Sequence, residues 1–190
     1  MTRIFAFPVL TVLLVASCAN RPEVTLKAIC SGSKSEVDWY LSHRGDPNAT
    51  IATDTLHGDE EDSLLSIAIG AERFDIARLL LSKGADPNGA RKESEFPLWW
   101  AARSGNLEMI KDLVSRGADL NTQRPGNGTT ALHVAIYFNH PEVLRYLVEK
   151  GASARKKTLD RNPWGIYNAT PQELAAELGR KDLEALLRQK

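Results

Sequence analysis

Ser82-Lys83-Gly84-Ala85-Asp86-Pro87-Asn88 returns 33 residues later as Ser115-Arg116-Gly117-Ala118-Asp119-Leu120-Asn121, and 34 residues after that as Glu149-Lys150-Gly151-Ala152-Ser153-Ala154-Arg155. A degenerate copy, Ser42-His43-Arg44-Gly45-Asp46-Pro47-Asn48, precedes them. A fixed period of this length marks a stack of repeats, because one copy cannot bury its own apolar face. Two short helices are expected upstream of each copy. Thr130-Ala131-Leu132-His133-Val134-Ala135-Ile136 and Phe96-Pro97-Leu98-Trp99-Trp100-Ala101-Ala102 open two of them. Ser63-Leu64-Leu65-Ser66-Ile67-Ala68-Ile69 and Thr170-Pro171-Gln172-Glu173-Leu174-Ala175-Ala176 are weaker versions.

The second helices carry apolar stripes at helical spacing: Ile76, Ala77, Leu79 and Leu80, then Met109, Ile110, Leu113 and Val114. Val143, Leu144, Leu147 and Val148 follow, then Leu183, Leu186 and Leu187. Ala28, Ala68, Ala101, Ala135 and Ala175 share one register of the first helix, where small side chains let neighbouring helices approach. Gly84, Gly117 and Gly151 fall just past the second helix, where a left-handed residue ends a helix at no Cβ penalty. Pro97 and Pro171 suit a first helical turn.

These stretches resemble the ankyrin repeat, with its Thr-Pro-Leu-His-x-Ala-Ala opening and Gly-Ala-Asp-x-Asn close. The resemblance covers nearly all of residues 22–190 as five copies, roughly 22–48, 62–88, 95–121, 129–155 and 169–190. It implies an all-α solenoid of helix-turn-helix repeats with finger loops. Lys34, Ser35, Glu36 and Asp38 at one end, and Arg180, Lys181, Asp182, Arg188, Gln189 and Lys190 at the other, read as polar capping repeats.

In that family a protein partner meets the finger tips and the concave face of the first helices. Carried over by register, the contact positions are Glu95, Arg103 and Ser104, then Thr129, Tyr137 and Phe138, then Ala169, Glu177 and Leu178. Lys92 and Glu93 fall at a finger tip. Tyr137, Phe138 and Arg103 are expected at the centre of a protein-binding groove, since aromatics and Arg dominate interface energetics. The alternative is an aromatic pair packed along its own helix. The resemblance also gives His133 the duty of holding turn backbone. Trp99 replaces that His one repeat earlier, so its turn is held differently.

Two connections depart from the pattern. Asn88 to Phe96 is a step of 8 and Asn121 to Thr130 a step of 9, but Asn48 to Ser63 and Arg155 to Thr170 are steps of 15. Long insertions in repeat proteins form loops on one face. The first holds Asp54, Asp59, Glu60, Glu61 and Asp62 with His57; the second holds Lys156, Lys157 and Arg161 with Trp164, Ile166 and Tyr167. An acidic lip and a basic, aromatic lip would flank the groove, with Trp164 and Tyr167 as contacts. Solvated loops, and a Trp164 folded onto its own repeat, are the alternatives.

The amino terminus reads as a targeting segment. Arg3 precedes an apolar run, Ile4 to Ala16, which is too short to span a bilayer. Val15-Ala16-Ser17-Cys18 resembles a bacterial lipobox, which implies a signal peptide over 1–17, a lipidated Cys18 and a tether over 18–21. Two or three acyl chains anchor stably where one does not. Ala19 after the cysteine favours, by the same resemblance, the outer membrane facing the periplasm. A plain exported protein is the alternative.

Lys plus Arg balance Asp plus Glu at 24 each, which argues against a nucleic-acid partner. With Cys18 acylated, Cys30 is alone and is expected to be buried in the first copy. His43 and His140 lie at helix ends, no His pair has metal-ligand spacing, and the acidic stretch lacks an EF-hand's alternating ligands. No catalytic residue, cofactor or metal site is read from the chain. The reading is a non-enzymatic, monomeric, envelope-anchored scaffold or adaptor that binds another protein. An immunity protein against an envelope-acting toxin, and a periplasmic stress or peroxide-resistance accessory, are the alternatives.

Overall fold

A computed structural model describes residues 22–55, 58–89, 96–159 and 168–188, excluding the side chains of 22–24 and 52–60. Within them lie ten helices in five antiparallel pairs: α1 (Pro22–Ser31) and α2 (Lys34–Ser42), α3 (Leu64–Gly70) and α4 (Phe74–Ser82), α5 (Pro97–Ser104) and α6 (Leu107–Ser115), α7 (Ala131–Tyr137) and α8 (Pro141–Glu149), α9 (Pro171–Glu177) and α10 (Lys181–Arg188). The calls on Cys18, Lys92, Glu93, Glu95, Trp164 and Tyr167 lie outside the described residues. Among the described residues no helix is long and apolar enough to cross a membrane.

The first helices α1, α3, α5, α7 and α9 form one row, each packed on the next, and the second helices form a looser row behind them. The alanine register explains the difference. Ala28, Ala68, Ala101, Ala135 and Ala175 are all at most 1% exposed, and their small side chains let first-helix backbones approach. The second helices are spaced by larger side chains such as Ile76, Ile110 and Leu144, which are fully buried. The stack therefore curves toward the first-helix row.

The close of each repeat has a physical cause in the next one. The Oδ1 of Asn48 accepts from the Asp86 N–H at 2.7 Å, that of Asn88 from Asp119 at 2.7 Å, and that of Asn121 from Ser153 at 2.7 Å. Asn48 and Asn88 also donate to the Gly84 and Gly117 carbonyls. Each bond contributes on the order of 1 kcal/mol net, and together they hold the register of successive turns. Gly84, Gly117 and Gly151 take φ of 94–95° there, as their position past the helix requires. The degenerate first copy moves its glycine one residue on. A Cβ at Gly45 would sit 2.5 Å from the Tyr40 ring, so tyrosine fills the space an alanine occupies elsewhere.

The acidic insertion is not a loop. Thr50–Thr55 (β1) and Gly58–Ser63 (β2) pair as an antiparallel hairpin, with Thr50 opposite Ser63 and Thr55 opposite Gly58. Ile51 is buried at 6% exposure and β1 lies against α1, so one strand is tied to the core. The Thr50 hydroxyl donates to Glu61 across the pair at 2.8 Å. The β-branched residues Thr50, Ile51, Thr53 and Thr55 are the strand signal within that stretch.

Candidate functional site

The carboxyl ends of α5 and α7 converge on the first-helix face. Trp100 and Arg103 are neighbours one turn apart on α5. The guanidinium carbon of Arg103 lies 5.0 Å from the Trp100 ring centroid and 5.8 Å from that of Phe138, which arrives from the next repeat. Tyr137 meets Phe138 edge to face at 5.2 Å. Phe138 stacks in turn over His140 at 6.5 Å and is still 38% exposed. The aromatic pair packs locally, the alternative weighed for it, and Phe138 also reaches across the repeat boundary to Arg103.

The backbone beneath this cluster is pinned by residues at the start of the second helices. A helix leaves its last carbonyls without intrahelical partners. Arg180 donates to the Tyr137 carbonyl at 3.0 Å, and Arg73 does the same for Cys30 at 3.0 Å. His140 Nε2 lies 3.1 Å from the Arg103 carbonyl, so that nitrogen carries the proton. Asn106, in the same register, instead caps its own helix by accepting from Met109 at 2.9 Å. Gly105 is required twice over: its φ is +69°, and a Cβ there would meet the His140 ring at 2.6 Å.

A cavity of about 190 Å³ opens beside the cluster, lined by Ile69, Gly70, Glu72, Trp100, Arg103, Ser104 and Phe138. Glu72 and Trp100 were not among the contact positions carried over by register. Trp100 had a sequence signal, a large aromatic one turn before Arg103. Glu72 is exposed at φ +57°, in the turn position that Gly32, Gly105 and Gly179 occupy in other repeats. A non-glycine residue held left-handed is uncommon and marks a position to inspect for function.

Two expectations, on Thr129 and Cys30, are corrected. Thr129 is fully buried, not a surface contact; its hydroxyl accepts from Trp99 Nε1 at 3.1 Å. Ser104 is half-buried, donates back to the Ala101 carbonyl at 3.1 Å and lines the cavity. Cys30 is exposed, because it lies off the inward face of α1 that Ala28 and Ile29 define.

His133 holds backbone as its register implies. Its Nδ1 accepts from the Thr130 N–H at 3.1 Å, and its Nε2–H donates to the Ala169 carbonyl of the next repeat at 3.1 Å. In the last repeat Glu173 does the first half of that task, accepting from the Thr170 N–H at 2.7 Å, and these bonds hold its carboxyl below the usual range. Trp99 bonds sideways to Thr129 instead, which is the different solution its substitution called for.

The family pattern for Ankyrin repeats (3 copies) matches residues 25–124, 65–158 and 98–190, and the chain belongs to the ankyrin repeat family. That fold is a protein-interaction scaffold. The chain is similar to Potassium channel AKT1 of Arabidopsis thaliana, 39% identical over 47% of this chain and 10% of that protein. It is 33% identical to Alpha-latroinsectotoxin-Lt1a of Latrodectus tredecimguttatus over 66% of this chain and 8% of that one. Transient receptor potential cation channel subfamily A member 1 of Homo sapiens is 33% identical over 68% and 11% respectively. The chain therefore spans about a tenth of the length of these relatives.

Proposed function

We propose that this protein is a non-enzymatic scaffold that binds another protein across the ends of α5 and α7, while acyl chains on Cys18 hold it to a bacterial envelope. The observation that carries the binding half is the cluster of half-buried Trp100 and Tyr137 with exposed Arg103 and Phe138 around an open cavity. Its composition is that of an interface anchor, and its backbone is fixed before a partner arrives, which lowers the entropy cost of docking. The anchoring half rests on Val15-Ala16-Ser17-Cys18. Only Ala19-Asn20-Arg21 separate that cysteine from α1, so the groove would work close to the membrane surface, in the periplasm if the anchor is in the outer membrane.

Affinity capture from envelope extract tests the groove. A protein retained by the parent is expected to be lost, by more than about tenfold in affinity, from Tyr137→Ala/Phe138→Ala. Equal retention by both would remove the cluster from the interface. Metabolic labelling with a fatty acid tests the anchor: label on the parent and none on Cys18→Ser is expected, and equal label on both would refute lipidation at Cys18.

A further inference from the structure

We propose that the partner seats a carboxylate, from an Asp or Glu side chain, on Arg103 in the cavity between the ends of α3, α5 and α7; this rests on the groove reading above. The guanidinium is oriented by two rings, at 5.0 Å from Trp100 and 5.8 Å from Phe138, not by an acid. Among the described residues its side chain donates no hydrogen bond and meets no carboxylate at ion-pair distance. A planar fork of N–H donors is therefore presented unused at the edge of a cavity. A carboxylate is the side-chain group whose two oxygens match that fork, and an arginine already stacked on aromatic faces loses little freedom in pairing. The cavity, at about 190 Å³, admits one side chain and is below the size of a typical small-molecule site.

Glu72 of the preceding repeat lines the same cavity. Its charge disfavours an acid placed anywhere but against Arg103, and it favours a cation beside that acid. The pair therefore reads position as well as sign, as complementary interfaces do. Glu72 keeps this carboxylate at φ +57°, where three other repeats relax the turn with glycine.

Panning a random dodecapeptide library on the immobilised full chain tests the proposal without a known partner. Peptides retained through detergent washes at low ionic strength, and released by added salt, are expected to share one Asp or Glu position. Their binding is expected to weaken about tenfold on Arg103→Gln. Arg103→Glu is expected to select Lys or Arg at that position instead. Thermal unfolding of both variants at the parent's temperature shows that the fold is kept, since the side chain is exposed. Peptides that bind the parent, fail on Tyr137→Ala/Phe138→Ala and share no acidic position would overturn the proposal and leave the groove standing. Peptides sharing a basic position alone would assign the cavity to Glu72 and also overturn it. Peptides insensitive to the Tyr137/Phe138 variant, or none at all, would overturn the groove reading with it.

Discussion

Ile110→Ala is expected to destabilise the solenoid by about 3 kcal/mol and to lower its thermal midpoint by roughly 10 °C. Ile110 is 0% exposed on α6, which packs against α5 in its own repeat and α8 in the next. Truncation removes three buried carbons and leaves a void that two rigid helix pairs cannot collapse to fill. Because the third repeat is flanked on both sides, its weakening uncouples the stack in the middle. The transition should then broaden or split in urea followed by circular dichroism. Leu183→Ala on α10 is the comparison. Leu183 is also 0% exposed, but its repeat has one described neighbour, so the defect frays that end and leaves the main transition near its place. A smaller loss for Ile110→Ala than for Leu183→Ala in the main transition would contradict the nearest-neighbour account.

Lowering the pH from about 6.5 to 4 is expected to remove up to roughly 3 kcal/mol of stability through His133 alone. The ring is buried, and burial pushes its pKa down to about 4, with the Ala169 carbonyl pulling weakly the other way. In the unfolded chain it titrates near ~6.5. Between those values the unfolded chain takes up a proton that the folded chain refuses, so acid favours unfolding. The contribution is complete above the unfolded value and exhausted below the folded one. A proton on Nδ1 would also displace the Thr130 N–H that Nδ1 accepts. His133→Gln keeps an acceptor for Thr130 and a donor for Ala169 but does not titrate. Urea midpoints measured at pH 7 and pH 4.5 should therefore diverge for the parent and stay closer together for the variant. Carboxylates such as Glu173 titrate in both proteins and cancel in the difference. Parallel pH profiles would show that His133 is not the titrating group.

Three residues of the cluster beside the cavity were legible in the sequence. Arg103, Tyr137 and Phe138 were reached by counting back from the linking glycine, and the counting works because each repeat repeats its geometry. Thr129 came from a second rule, the residue before the helix opening, and that one failed. Its counterpart Ala169 is buried too, so this register faces the preceding repeat, where Trp99 bonds Thr129 and His133 bonds Ala169. Glu72 was missed because a left-handed turn residue is inconspicuous unless the turn is already aligned. The acidic hairpin was read as a loop because its charges masked the β-branched residues of one tethered strand.

Spacing along the chain already carried the period, the helix pairs, the small-residue register and the glycines that end the later second helices. These are local or periodic demands, met alike in most copies. The placing of Asn48, Asn88 and Asn121 is explained by the stacked fold: each bonds a turn 31–38 residues away. The same holds for Arg73, His140 and Arg180, which satisfy carbonyls one repeat back, and for the cation of Arg103 set between rings from two repeats. These contacts join positions separated by one period, so their partners are chosen by stacking, and stacking exists only once the chain has folded.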